Sequence, residues 1–83
     1  QPLTPEQITE AMRGSSRAFR AIVEAHQGFV FAVAYRFVNN AQDAEDITQD
    51  VFVRLWKSLP NYRHEVKLTT WMYKIIANRC LDF

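Results

Sequence analysis

The sequence predicts an all-α fold, a compact bundle of three main helices preceded by a short N-terminal one. Three observations carry this. Every strong hydrophobic repeat has a period near 3.6 residues, and none has a period of two. Capping residues and helix breakers fall where helices start and stop. Two glycines and three prolines in 83 residues are too few for a turn-rich β-sandwich or for low-complexity linkers.

Thr4-Pro5-Glu6-Gln7 is a helix start, with Thr as N-cap, Pro at the first helical position and Gln where a capping box places it. This helix is short and ends near Arg13, ahead of Gly14. Ser15 or Ser16 caps the second helix, whose apolar residues Phe19, Ile22, Val23, Phe29, Val30, Val33, Ala34 and Phe37 recur at helical spacing. Gly28 costs about 1 kcal/mol against alanine in a helix interior, which predicts a kink or break near Gln27-Gly28. Asn39-Asn40 ends this element, and Asn40 caps the third helix. Asp43, Glu45 and Asp46 sit in or near its first turn, where the helix dipole favours negative charge.

The third helix is expected from about Ala41 to Leu59, with Ile47, Val51, Phe52, Leu55, Trp56 and Leu59 on its core side and Pro60 as its stop. Asn61 to Leu68 is polar, basic and aperiodic, and reads as a loop. Thr69 or Thr70 caps the last helix, which is expected to run to the chain end with Trp71, Met72, Ile75, Ile76 and Cys80 on its apolar side.

A chain of this length forms one domain at most, and it buries only about 60% of the surface its unfolded form exposes. A hydrophobic content of 48% suits a folded globular domain. Cys80 is the only cysteine, so no internal disulfide forms, which fits a reducing cytoplasm. No run of about 18 uncharged apolar residues offers a membrane span, and the N-terminus lacks the basic-then-apolar pattern of a signal peptide. An enzyme is disfavoured. His26 and His64 lie far apart, Cys80 has no obvious partner, and no Gly-rich phosphate loop or paired metal-ligand motif is present. No catalytic residue, metal site or cofactor is therefore expected.

The net charge of +1 conceals an asymmetry. From Gln42 to Val53 every charge is acidic: Asp43, Glu45, Asp46 and Asp50. From Arg54 to Leu81 the charges are Arg54, Lys57, Arg63, Lys67, Lys74 and Arg79, with Glu65 the one acid. Such an order suggests two partner surfaces of opposite sign, the plainer alternative being two solvated helix faces. Asp46, Gln49, Asp50 and Val53 fall at i, i+3, i+4 and i+7 and share one face of the third helix, away from Val51, Leu55 and Leu59. That face suits arginine side chains of a partner through charge-assisted bonds.

On the last helix, Thr70, Lys74, Asn78 and Asp82 form a polar stripe at spacing four. The preceding loop, Asn61-Tyr62-Arg63-His64-Glu65-Val66-Lys67, combines cations, amides and aromatics, the side chains that neutralise phosphates, read base edges and stack on unpaired bases. Trp71 lies on the apolar side of its helix and reads as core. Tyr62 either packs down onto the core or binds a base.

Taken in order, these segments resemble the extracytoplasmic-function sigma factors. The stretches that carry the likeness are Ala18-Phe19 to Phe37-Val38, DAEDITQDVFVRLWKSL (Asp43 to Leu59), the loop NYRHEVKL, and TTWMYKIIANRCLDF (Thr69 to Phe83). The match covers about residues 16 to 83, which the resemblance makes sigma domain 2, with residues 1 to 15 as a short helix and lead-in. It implies a bacterial cytoplasmic transcription initiation factor. Its third helix would dock on the clamp helices of the RNA polymerase β′ subunit through Asp46, Gln49, Asp50 and Val53, with Arg54 and Lys57 near the edge.

The loop, through Asn61, Tyr62, Arg63, His64 and Lys67, would capture one base flipped from the non-template strand of the promoter minus-ten element. Lys74 and Asn78 would contact promoter DNA beside it, and Arg36 is a further candidate. An anti-sigma factor is an expected partner, and membrane insertion is not. The family's helix-turn-helix domain for the minus-thirty-five element is absent from these residues, and the family usually continues past the position of Phe83, so a fragment is expected. Two other readings are a purely protein-binding helical adaptor and a helix-turn-helix reader of duplex DNA. The long connection before the last helix argues against the second.

Overall fold

The computed structural model describes residues 3–82. The N-terminal residues Gln1 and Pro2, and Phe83 at the expected end of the last helix, lie outside the described residues. The elements are α1 (Pro5–Met12), α2 (Ser16–Val38), α3 (Ala41–Ser58), a 3₁₀ turn (Leu59–Asn61) and α4 (Leu68–Leu81), with no strand among the described residues. The expected all-α bundle of three main helices and a short leading one is what forms.

The start signals work as the sequence predicts. Gln7 N–H donates to Thr4 Oγ1 at 3.2 Å and Thr4 N–H donates to Gln7 Oε1 at 2.9 Å, closing the capping box of α1. Ser15 Oγ accepts from Ala18 N–H at 3.1 Å and Asn40 Oδ1 accepts from Asp43 N–H at 2.9 Å, capping α2 and α3. Asn39 ends α2 in the left-handed region at φ 53°, a conformation Asn tolerates better than most residues.

Two boundary expectations are corrected. α2 runs unbroken for 23 residues through Gly28. The propensity cost of one glycine is smaller than the gain from burying Ile22 on one side of it and Val30 and Ala34 on the other. α4 begins at Leu68 with Lys67 as N-cap and no side-chain capping bond, so Thr69 and Thr70 lie inside the first turn. Leu68 is buried, and seating it in the core draws the helix start ahead of the threonines.

One core joins all the elements. Ile22, Val30 and Ala34 of α2, Ala44, Ile47, Val51 and Leu55 of α3, Leu59 of the 3₁₀ turn, and Met72 and Ile76 of α4 have no exposed surface. α1 packs against α2 and the 3₁₀ turn and adds Ala11 to the same cluster. α3 is central, touching α2, α4 and the turn that follows it.

Two residues placed on core sides by periodicity sit further out. Phe37 is 46% exposed. Trp56 is part-exposed and packs edge-on against Phe19 with ring centroids 4.9 Å apart.

A Cβ added at Gly28 would meet no atom within 4 Å. Gly28→Ala is expected to stabilise the domain by about 1 kcal/mol. In a thermal melt followed by circular dichroism this is a rise of roughly 4–8 °C; a fall would show that the glycine relieves a strain in α2.

Candidate functional site

α3 divides sharply between its two sides. Ile47, Val51 and Leu55 are fully buried, while Asp46, Gln49, Val53, Arg54 and Lys57 are exposed. Asp46, Gln49, Asp50 and Val53 come together on one outer face, as the i, i+3, i+4, i+7 spacing requires. Val53 is 51% exposed, an aliphatic side chain set in water among acids and an amide. Trp56 follows it at i+3, so the apolar surface continues along the helix.

Asp50 is already engaged. Arg79 Nε of α4 donates to Asp50 Oδ2 at 2.5 Å, and Arg54 Nε lies 3.3 Å from the same oxygen. Arg54 Nη1 stands 3.9 Å from Asp82 Oδ2, which completes a chain of charges from α3 to the end of α4. The Arg54 pair is open to water and is worth at most about 1 kcal/mol. Arg79 is better covered, so its bond to Asp50 is the stronger of the two. The free acceptors of this face are thus Asp46 and Gln49, and Asp50 serves first as the tie between α3 and α4.

The loop at 62–67 is built around Tyr62. Its side chain is only 6% exposed, so the choice left open by the sequence resolves to core. The phenol donates across the loop to the Val66 carbonyl, and Val66 N–H donates to the Arg63 carbonyl at 3.1 Å. Burial pushes the Tyr62 phenol above its ordinary pKa, which keeps it an O–H donor at neutral pH. Its ring meets Trp71 edge-on at 5.6 Å and His64 at 5.3 Å. Asn61, Arg63, His64 and Lys67 are exposed around this anchor. Tyr62 therefore shapes the loop, and the ring on the outside is that of His64. Trp71 is partly buried and packs against the core from the apolar side of its helix, and among the described residues its buried Nε1 has no hydrogen-bond partner.

On α4, Lys74 and Asn78 are exposed one turn apart, opposite the buried Met72 and Ile76. Tyr73 beside them is 47% exposed. The sequence reading assigned it no place, because an isolated aromatic between two faces of a helix gives no periodic signal. Cys80 is part-buried. Burial raises its thiol pKa and the neighbouring Arg79 charge partly opposes this, which disfavours the reactive thiolate. Among the described residues no cluster of His, Cys, Asp and Glu is placed to hold a metal ion, and no helix is long and apolar enough to cross a membrane.

Comparison with known proteins finds matches along most of the chain. The model of the Sigma-70 region 2 family matches residues 22–83. The chain is 35% identical over 80 residues to the RNA polymerase sigma-H factor of Pseudomonas aeruginosa, covering 92% of this chain and 42% of that one. It is 30% identical over 77 residues to the extracytoplasmic-function sigma factor SigW of Bacillus subtilis, covering 93% and 41%. The chain thus spans less than half the length of these relatives. Among solved structures, CnrH in complex with the cytosolic domain of CnrY superposes with a TM-score of 0.78 at 29% identity, over 93% of this chain and 50% of that one.

Tyr62→Phe removes one hydroxyl and keeps the ring. It should cost about 0.5–1.5 kcal/mol and speed amide exchange at 62–67 while leaving α3 protected. Hydrogen exchange read by mass spectrometry checks this; unchanged protection in the loop would deny Tyr62 its anchoring part.

Proposed function

This chain belongs to the Sigma-70 region 2 family, as one of the extracytoplasmic-function sigma factors, and from that premise we propose that it is the domain that docks on RNA polymerase and opens the promoter minus-ten element. The family is one of transcription initiation factors rather than of enzymes. The observation that carries the proposal is the outer face of α3. A row of acid, amide and exposed valine on the most firmly packed helix is what a rigid docking surface requires.

In this reading Asp46, Gln49 and Val53 meet the clamp helices of the β′ subunit, with Arg54 and Lys57 at the rim. Asp50 contributes through the carboxylate it shares with Arg79. On the other side, Asn61, Arg63, His64 and Lys67 form the rim of a pocket for one flipped non-template base, held in shape by Tyr62. Lys74 and Asn78 fix the register of the strand. Capture of an unpaired base offsets an unstacking cost of a few kcal/mol. Few cations serve this, so the isolated domain binds DNA weakly, and tethering by polymerase supplies effective concentration. The reading places the protein in the bacterial cytoplasm beside the polymerase. The solved complex of CnrH with the cytosolic domain of CnrY supports a protein partner, and an anti-sigma factor is the partner this reading proposes.

The docking test uses Asp46→Arg and Val53→Arg, because Asp50→Arg would also break the tie to Arg79 and set three arginines together. Each should weaken binding to a β′ clamp-helix fragment by about tenfold or more with an unchanged melting curve. Retained binding in both variants would remove the docking face from α3. Lys74→Ala with Asn78→Ala should leave clamp binding intact and impair promoter opening, read by permanganate footprinting of unpaired thymines; normal opening would place the DNA face elsewhere.

A further inference from the structure

The outer side of α2 has been given no part above. Between Glu24 and Arg36 its exposed residues are Ala25, Gln27, Gly28, Phe31, Ala32 and Tyr35, and none is charged. Phe31 and Tyr35 are 36% and 42% exposed. Their rings lie one turn apart, with centroids separated by 6.1 Å and planes inclined by 18°. A solvated helix face ordinarily carries charged and polar residues; this one carries two ordered rings beside small residues. At Gly28 an added Cβ would meet no atom within 4 Å, so the chain's own packing does not call for a glycine there. Bare backbone of this kind admits close approach by another body.

The charges at the two ends of this face identify its occupant. Glu24 stands at one end and Arg36 at the other, both exposed. Among the described residues neither has an ion-pair partner. A second copy laid antiparallel, with the two-fold axis level with Val30, sets each Glu24 level with the other copy's Arg36, so two pairs of opposite charge form from one surface. In the same register Phe31 and Tyr35 of one copy lie over the small residues from Ala25 to Ala32 of the other. A parallel copy would set Glu24 against Glu24 and Arg36 against Arg36, which repel. An unrelated protein segment would have to bring the reverse order of charges, and the second copy has it already.

We propose that this chain self-associates as a symmetric antiparallel pair through the outer side of α2, with the Phe31 and Tyr35 rings as its apolar centre and Glu24 and Arg36 as its rim. Stacked rings are ordered before contact, which lowers the entropy lost on binding. The contact runs along about 18 Å of helix. That is small for a specific interface, so the pair is transient and forms at high micromolar concentration. Neither Asp46 nor Lys74 belongs to it, and it does not rest on the proposed docking or strand surfaces.

The test is sedimentation velocity of this chain over a concentration series from about 10 μM to about 1 mM, the range of weak association. The weight-average sedimentation coefficient should rise with concentration and fit an equilibrium of monomer and dimer. Phe31→Gln and Tyr35→Gln remove the rings and keep good helix formers. Each should weaken association by about tenfold or more, with melting curves unchanged. Glu24→Arg should weaken it as well, and Glu24→Arg with Arg36→Glu should restore it, because exchanging the charges rebuilds both pairs.

A chain that stays monomeric throughout the series overturns the proposal. So does association that survives Phe31→Gln and Tyr35→Gln, or that Asp46→Arg abolishes in their place, since the contact then lies on another face. If the doubly exchanged variant associates no better than Glu24→Arg, the antiparallel register is wrong and the proposal fails. Binding to the β′ clamp-helix fragment, measured alongside, reports on the docking face. Its loss in Asp46→Arg with self-association intact would show the two surfaces to be separate, as proposed.

Discussion

Ile47, Val51, Leu55 and Leu59 follow one another every four residues along α3 and the turn behind it, and none has exposed surface. Each contributes about 1.5–3 kcal/mol by burial, so together they match the whole net stability of a small domain, about 5–15 kcal/mol. α2, α4 and the 3₁₀ turn all pack against α3. Function is confined by this. The inner side of α3 has no freedom, and whatever binds must use the outer side of α3 or the helices that lean on it. The proposed docking face is rigid because the opposite side of its own helix is the centre of the core.

The two proposed surfaces are held in a fixed relation by the packing of α4 on α3 and by two further ties. The Asp50–Arg79 bond joins the docking helix to α4 near its C-terminal end. Tyr62 and Trp71 pack edge-on where the loop enters α4. A helix held at both ends cannot rotate, so Lys74, Asn78 and Tyr73, which lie between these ties, keep their direction relative to Asp46 and Val53. In the proposed reading, polymerase docking would therefore set where the side chains assigned to the strand point.

Much of this was legible in the sequence, and the reasons differ by element. Helix starts were readable because capping is local: Thr4, Ser15 and Asn40 each satisfy a backbone N–H within three residues. The core seam was readable because periodicity is also local. Gly28 was misjudged because propensity is a small term that packing on both sides overrides. The threonine caps of α4 gave way to the burial of Leu68, a tertiary event. Spacing brought Asp46, Gln49, Asp50 and Val53 together correctly. It gave no sign that Arg79, 29 residues away, would occupy Asp50, because no rule of helical spacing reaches across a loop. Tyr62 stayed undecided in the sequence for the same reason: an aperiodic loop carries no inward or outward direction.

The charge order along the chain acquires a structural meaning from this arrangement. The acids of Gln42 to Val53 lie on the outer face of one helix, and the acid-free stretches of α2 and α4 meet across a groove. One small body thus presents a negative side and a positive, aromatic side without either being strongly charged. A weakly charged nucleic-acid surface binds poorly on its own, since affinity for a polyanion scales with the number of phosphates neutralised. Such a surface acts only where another molecule delivers the strand. Under the proposed function, strand binding would then be conditional on docking through electrostatics alone, with no moving part required.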